Sequence, residues 1–389
     1  MRPIHDNERG IALAVAMFAI VVCGALIAGA LFLGTQEQRV GENAHRFEQA
    51  LGIVETGAPE IIAAWDPNVI NQMGIYPLDT FLIPERATAG GTGSYGGALY
   101  KINRNLYYID LTGVDSMSRD PSRAFRRRGG GSRQRLGMLV RIRPIQIPTT
   151  GAFTSQGNVT YRGNALIDGT DHQPNATWSD CLAPDSVKPA FYVDGTVSKG
   201  GVQAQAIGNP VVQQDTAIND NTFEVFGDLA YADLAARANI KLAGGFYAPI
   251  QPSSVAGVCN RNDPRNWGDG QNHLAPCGSY FPIVHVAGDL ELQNWQGQGI
   301  LLVDGNMTVT GQFEYFGIVI VKGIMTTSGG GAAAAHFHGT VLAKNESGGM
   351  SDIGGAAKVR FSKCAIVQAL NMTSFGALAR SRSWIRVYQ

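Results

Sequence analysis

Apolar and polar positions divide this chain into three regimes. From Ile11 to Gly34 the residues are almost all apolar and none is charged. At about 1.5 Å per residue such a run spans the roughly 30 Å hydrocarbon core of a bilayer as a helix. Beyond Gly34 the apolar positions thin to a stripe. Phe47, Leu51, Val54, Ala58, Ile61 or Ile62, and Trp65 recur at three- and four-residue steps, with Glu42, Arg46, Glu48 and Glu55 mostly off it. The Asp66-Pro67 pair ends the pattern, because a residue before proline avoids helical backbone. The expectation is one helix over 11–66, roughly 80 Å long, apolar all round in 11–34 and amphipathic afterwards.

The third regime has strand periodicity. Residues 67–97 read as loop, with Pro67, Pro77, Pro84 and a Gly-rich stretch. Residues 98–112 read as two strands around an Asn103-Arg104-Asn105 turn. Residues 136–147 alternate Val140, Ile142, Ile145 and Ile147 as a further strand. Between them lies a basic stretch carrying Arg123, Arg126, Arg127, Arg128, Arg133 and Arg135 and no acid. It reads either as a solvated loop or as a patch for an anionic partner. Strands packed on an amphipathic half-helix make a head over 67–150.

From 151 the pattern changes again. Residues 156–171 alternate Val159, Tyr161, Ala165 and Ile167 between glycines, and 172–282 is an irregular insertion. That insertion holds a predicted helix over 228–242, opened by Asp228 and closed by Gly244. Then IVHVAGDLEL, ILLVDGNMTV and IVIVKGIMTT follow one another, with Gly288, Gly305 and Gly323 at matching places. A strand, a Gly turn and a second strand, repeated at near-constant spacing, predict a short parallel β-helix or solenoid in 151–389. Residues 163–169 read as an earlier rung or a cap of the same stack. An antiparallel sandwich is the other architecture such strands allow.

The apolar run admits three readings: a plain anchor, a secretory signal, or a leader cut before the run. A signal peptide has a shorter apolar region followed by a small-residue cleavage site, whereas GTQEQRVGEN follows here. The amphipathic continuation favours the third, since a plain anchor has no use for it. The Arg9-Gly10 junction, the Ile11–Leu33 segment and the 34–43 run resemble the PilX-type N-terminal domain of type IV pilus assembly proteins (minor pilins). The resemblance covers about the first 55 to 60 residues. It implies a leader of residues 1–10, cleavage between Gly10 and Ile11 by a prepilin peptidase, and methylation of the new amine. Major pilins of this class carry Glu at the fifth mature position, which here is Val15. That departure points away from bulk filament subunit and toward a minor or priming position. Ala12, Ala14, Ala19, Gly24 and Gly29 are small enough for close helix approach.

Composition narrows the chemistry. The 389 residues carry formal net charge +0, which argues against bulk capture of nucleic acid. Of five Cys, Cys23 lies in the apolar run, and the other four would be exported. An even count in an oxidising compartment reads as two disulfides. Cys259–Cys277 closes a short polar loop, which leaves Cys181–Cys364. No specific catalytic constellation is present. The candidate acids for such a site are Asp168, Asp171, Asp289, Asp304 and Glu314. Asp168 and Asp171, and the Asn219–Asn221 cluster, read as turns or as oxygen ligands off the usual Ca²⁺ spacing. His285, His336 and His338 read as a stacked row or as converging imidazoles.

The sequence thus predicts an α+β protein: a long N-terminal helix, a β-rich head and a short parallel β-helix. The expected function is that of a non-enzymatic subunit or assembly protein of a type IV pilus or pseudopilus, with no metal or cofactor. Expected partners are other pilins, the inner-membrane assembly machinery, the prepilin peptidase and membrane lipid, with a surface or polysaccharide ligand as a further partner. The expected location is the inner membrane, single-pass with the C-terminus outside, and then the pilus or cell surface. An anchored adhesin, or a β-helix enzyme acting on polysaccharide, are the competing readings.

Overall fold

The computed structural model describes residues 8–88, 93–115, 132–143, 145–179, 181–330, 334–346, 348–378 and 384–386. The chain forms two compact units. The first comprises Met1–Ala64, Gly74–Arg141 and Leu378–Gln389, and the second Trp65–Met73 and Ile142–Ala377.

In the first unit, helix α1 runs unbroken over Glu8–Ala63 with Pro59 inside it. Its later half buries Ala50, Leu51, Ile53, Val54, Ala58 and Ile61. These residues lie three and four apart, so they form one stripe, and the stripe packs on a sheet. That sheet is an antiparallel meander of β1 (Phe81–Ala87), β2 (Gly93–Asn103), β3 (Leu106–Asp115) and β4 (Arg133–Arg143). Tyr95, Leu99, Tyr107, Ile109, Met138 and Val140 are buried in it. The Asn103 side chain accepts from the Asn105 amide at 2.9 Å, which fixes the turn between β2 and β3. Helix and sheet approach closely where α1 has no side chain: a Cβ on Gly57 would stand 2.6 Å from the Tyr95 ring. The Tyr95 hydroxyl donates to the Glu60 carboxylate, and burial together with that bond raises the phenol pKa.

Three local expectations are corrected here. Residues 67–97 are not all loop, for they hold helix α2 (Pro67–Ile70) and β1. Asp66 caps α2 by accepting from the Asn68 amide at 2.9 Å. Pro84 sits at a register break in the edge strand β1, where a missing N–H costs no ladder bond. The 136–147 strand is shifted to Arg133–Arg143, and Ile145 and Ile147 instead enter the core of the second unit. The C-terminal strand Trp384–Arg386 pairs antiparallel with Leu136–Met138, so the chain's end belongs to the first unit and not to a 151–389 domain.

The second unit is built of curled parallel sheets. Strand Trp295–Val303 pairs in parallel with Phe313–Val321, and that with Ala335–Ala343. Beyond a turn, Met307–Thr310 pairs in parallel with Met325–Ser328, and that with Ser351–Ile353. Like residues therefore stack: Leu301 on Val319 on Val341, and Met307 on Met325, all at most 1% exposed. This parallel register excludes the antiparallel sandwich. Stacking order differs from chain order. Phe153–Ser155 lies against Val341–Ala343, Phe191–Val193 against Phe153–Ser155, and Val212–Gln214 against Phe191–Val193. Strand Ile240–Tyr247 opens the other end by pairing with Ile283–Leu292. The chain thus enters mid-stack, coils out to one end, crosses to the other and coils back. The helix predicted over 228–242 is only Tyr231–Ala236, because Ile240 begins that end strand.

Candidate functional site

The first half of α1 is apolar and unpartnered. Leu13, Val15, Phe18, Ile20, Leu26 and Phe32 are 61–72% exposed. The helix is apolar enough, by length and composition, to cross a membrane. An exposed surface of this size and character calls for lipid or other helices in place of water. Ala14 and Ala19 are exposed on it, and nothing stands within 4 Å of where a Cβ on Gly24 or Gly29 would lie. Gly10 and Ile11 lie inside the helical backbone, while the side chains of Ile11 and Ala12 fall outside the described residues. Cys23 is a free, exposed thiol on the same segment.

The other four cysteines form two bridges, Cys181–Cys364 and Cys259–Cys277, with Cα atoms 5.5 Å and 4.8 Å apart. Of the basic stretch, Arg123, Arg126, Arg127 and Arg128 lie outside the described residues. Arg133 and Arg135 lie in β4, and the Arg135 guanidinium is committed to Asp110, with Nε 2.7 Å from the carboxylate.

The polar clusters resolve into local contacts. Asp168 accepts from the Thr170 amide at 2.9 Å, an Asx turn, and from His172 at 2.8 Å. Asp171 accepts from the Lys363 amide at 2.9 Å. Asn219 caps helix Asp220–Glu224, and Asp220 stands 3.5 Å from the Lys344 ammonium. Lys344 also bonds Glu224 at 2.6 Å and Glu346 at 3.2 Å; burial alone would lower its pKa, but these acids hold it up at about 12. The three histidines do not converge. His285 stacks in register with Leu302 and donates to Asp304 at 2.9 Å. His338 stacks in register with Phe316, lies flat on its ring at 4.8 Å, and donates to Glu314 at 2.9 Å. Among the described residues no group of three or more His, Cys, Asp or Glu is placed to hold a metal ion.

One feature of the second unit escaped the sequence reading. A shallow groove of about 450 Å³ lies over the strand pair Ile240–Tyr247 and Ile283–Leu292 and the two rungs beyond. Phe246, 56% exposed, lines it beside Glu291, Thr308 and Thr326. The only sequence signal was the outward Thr in MTVT and MTTS.

No family model matches the chain. No curated protein matches it either. Among solved structures, the competence-associated pilin ComZ from Thermus thermophilus aligns over 88% of this chain and 98% of that one, at 12% identity and a TM-score of 0.24.

Proposed function

We propose that this chain is a minor subunit or assembly protein of a type IV pilus or pseudopilus. The observation that carries the reading is α1: one unbroken helix, exposed and apolar in its first half, buried under its own sheet in its second. Lipid holds the first half before assembly, and a bundle of like helices holds it afterwards, the small residues at Ala14, Ala19, Gly24 and Gly29 permitting close approach. The work is packing and display and involves no bond chemistry. Cleavage after Gly10 frees Ile11 for methylation. The curled parallel sheets of the second unit act as a short β-helix displayed outside the inner membrane. An adhesin role on the same anchor is the second reading, favoured by the groove beside Phe246.

The test is the mass and N-terminal sequence of the mature protein from the native envelope, with deletion of the chain in parallel. A start at N-methylated Ile11 and lost filaments support the proposal. An intact Met1 reduces the helix to a plain anchor. A start beyond Gly34 means a signal peptide and overturns it.

A further inference from the structure

The groove over the second unit has the make-up of a sugar site. Its floor is the outer face of a parallel ladder. Phe246, Glu291, Thr308 and Thr326 stand in register on four successive strands, so their side chains leave the same face about 4.8 Å apart. Met307, Val309 and Met325, which alternate with them, are fully buried, so the outward row stands on a rigid core. Asp289 and Asn306 flank the row and are held by the backbone. Asp289 accepts from the Asn306 amide at 2.7 Å, and Asn306 Oδ1 accepts from the Ile324 amide at 3.0 Å. The remaining polar atoms are uncommitted: among the described residues the Glu291 carboxylate, the Asn306 Nδ2 and the Thr308 and Thr326 hydroxyls bond no other group.

We infer that this groove binds a neutral polysaccharide laid across the strands. The combination is specific in chemistry. An exposed aromatic face takes the apolar C–H face of a pyranose, while fixed carboxylate, amide and hydroxyl groups take its hydroxyls. Among the described residues no Lys or Arg lines the groove, and two carboxylates do, so an anionic polymer would be repelled. A second aromatic is not needed for register, because the row of hydroxyls repeats with the rungs. The inference concerns only the second unit and stands whether or not the helix enters a filament.

The experiment uses the full chain in detergent micelles, with cellohexaose and chitohexaose as neutral probes and hexagalacturonate as the anionic one, followed by calorimetry. Saturable binding of at least one neutral probe is expected, with weaker binding of hexagalacturonate. Phe246→Ala, and separately Thr308→Val with Thr326→Val, should each weaken it about tenfold or more. All three positions are at least partly exposed, so these variants keep the fold, which circular dichroism checks. In Phe246→Trp, binding should be retained and the indole emission should shift on adding the bound sugar. Absence of saturable binding to both neutral probes overturns the inference. So does preference for hexagalacturonate, or variants that fold and bind as the parent does.

Discussion

Gly339→Ala tests whether the rungs of the second unit are as close as the structure places them. Gly299, Gly317 and Gly339 lie in register on neighbouring strands with φ of +101°, +134° and +142°. A Cβ on Gly339 would stand 1.8 Å from the Gly317 carbonyl oxygen, and one on Gly317 2.1 Å from that of Gly299. Two costs combine. Left-handed backbone costs an L-residue about 1–2 kcal/mol. Forcing a methyl against a neighbouring backbone carbonyl costs about 1–3 kcal/mol more, since the rungs must part. A total of about 3 kcal/mol lowers the melting temperature of a unit this size by roughly 10 °C. Gly201→Ala isolates the first cost, because Gly201 also has positive φ, +95°, but nothing within 4 Å of the added atom. It should lose about 1 kcal/mol and roughly 3 °C. Trp178 and Trp267 are buried in the second unit, so tryptophan emission during heating of the full chain reports its unfolding. If Gly339→Ala melts no lower than Gly201→Ala, the rungs are not packed carbonyl to glycine, and the register argument fails.

Four further outcomes follow from other parts of the structure. Val54→Asp places an unpaired charge at a fully buried position of the first unit and should melt it by several °C. Val22→Asp should leave that melt unchanged but increase the share of chain released from the membrane fraction on a carbonate wash, since an acid at the centre of a spanning helix costs about 3 kcal/mol. In the chain-entropy picture the Cys181–Cys364 bridge, 183 residues apart, contributes about 5 kcal/mol and Cys259–Cys277, 18 apart, about 3. The C181S/C364S pair should therefore lose more in denaturant titrations than C259S/C277S. At Glu314 burial works to raise the carboxyl pKa, but hydrogen bonds from His338 and Gln271 outweigh it and leave it below the ordinary glutamate value. A lowered carboxylate contributes stability that is present above its unfolded pKa and lost as pH falls through the folded one. Glu314→Gln should flatten the acid loss of melting temperature between about pH 5 and pH 3, and an unchanged slope would remove Glu314 from that account.

What could be read from residues alone followed periodicity. The helical stripe from Leu51 to Ile61 was legible because burial repeats at 3.6 residues, and the two strands about Asn103 because turn chemistry is local. The repeat at Gly288, Gly305 and Gly323 was legible because each glycine amide or its neighbour meets the preceding one: Gly305 donates to the Gly288 carbonyl and Gly323 to that of Gly305, both at 3.0 Å. The second glycine column was not seen, because Gly317 and Gly339 are separated by the longer 322–334 connection, which breaks the spacing. Strand β1 was hidden by Pro84, whose edge position no single-residue rule reveals. The helix over 228–242 failed because strong helix formers such as Ala235 and Ala236 precede residues that pair as a strand, and tertiary pairing overrode propensity. The choice between a polar-satisfied histidine row and converging imidazoles stayed open for a different reason. Strand alternation places His336 and His338 on one face, but only register says which rung His285 joins.

Stacking order adds a constraint that chain order conceals. The early segments Phe153–Ser155 and Val159–Arg162 rest on Val341–Ala343 and Ser351–Ile353, almost two hundred residues later. A parallel rung buries its aliphatics only against a neighbour, so residues 153–214 have no inner floor until the last rung is made. The late strand Lys358–Phe361 then closes the gap by pairing with Ala335–Ala343 on one side and Leu166–Asp168 on the other. Cys364 stands three residues past that strand, and Cys181 sits between the early rungs. Their bridge therefore joins early and late stretches of chain 183 residues apart, where loop closure is costly and a covalent link most useful. If the second unit is exported as proposed, the bridge forms in an oxidising compartment only after both stretches have crossed, which locks the stack in its finished order.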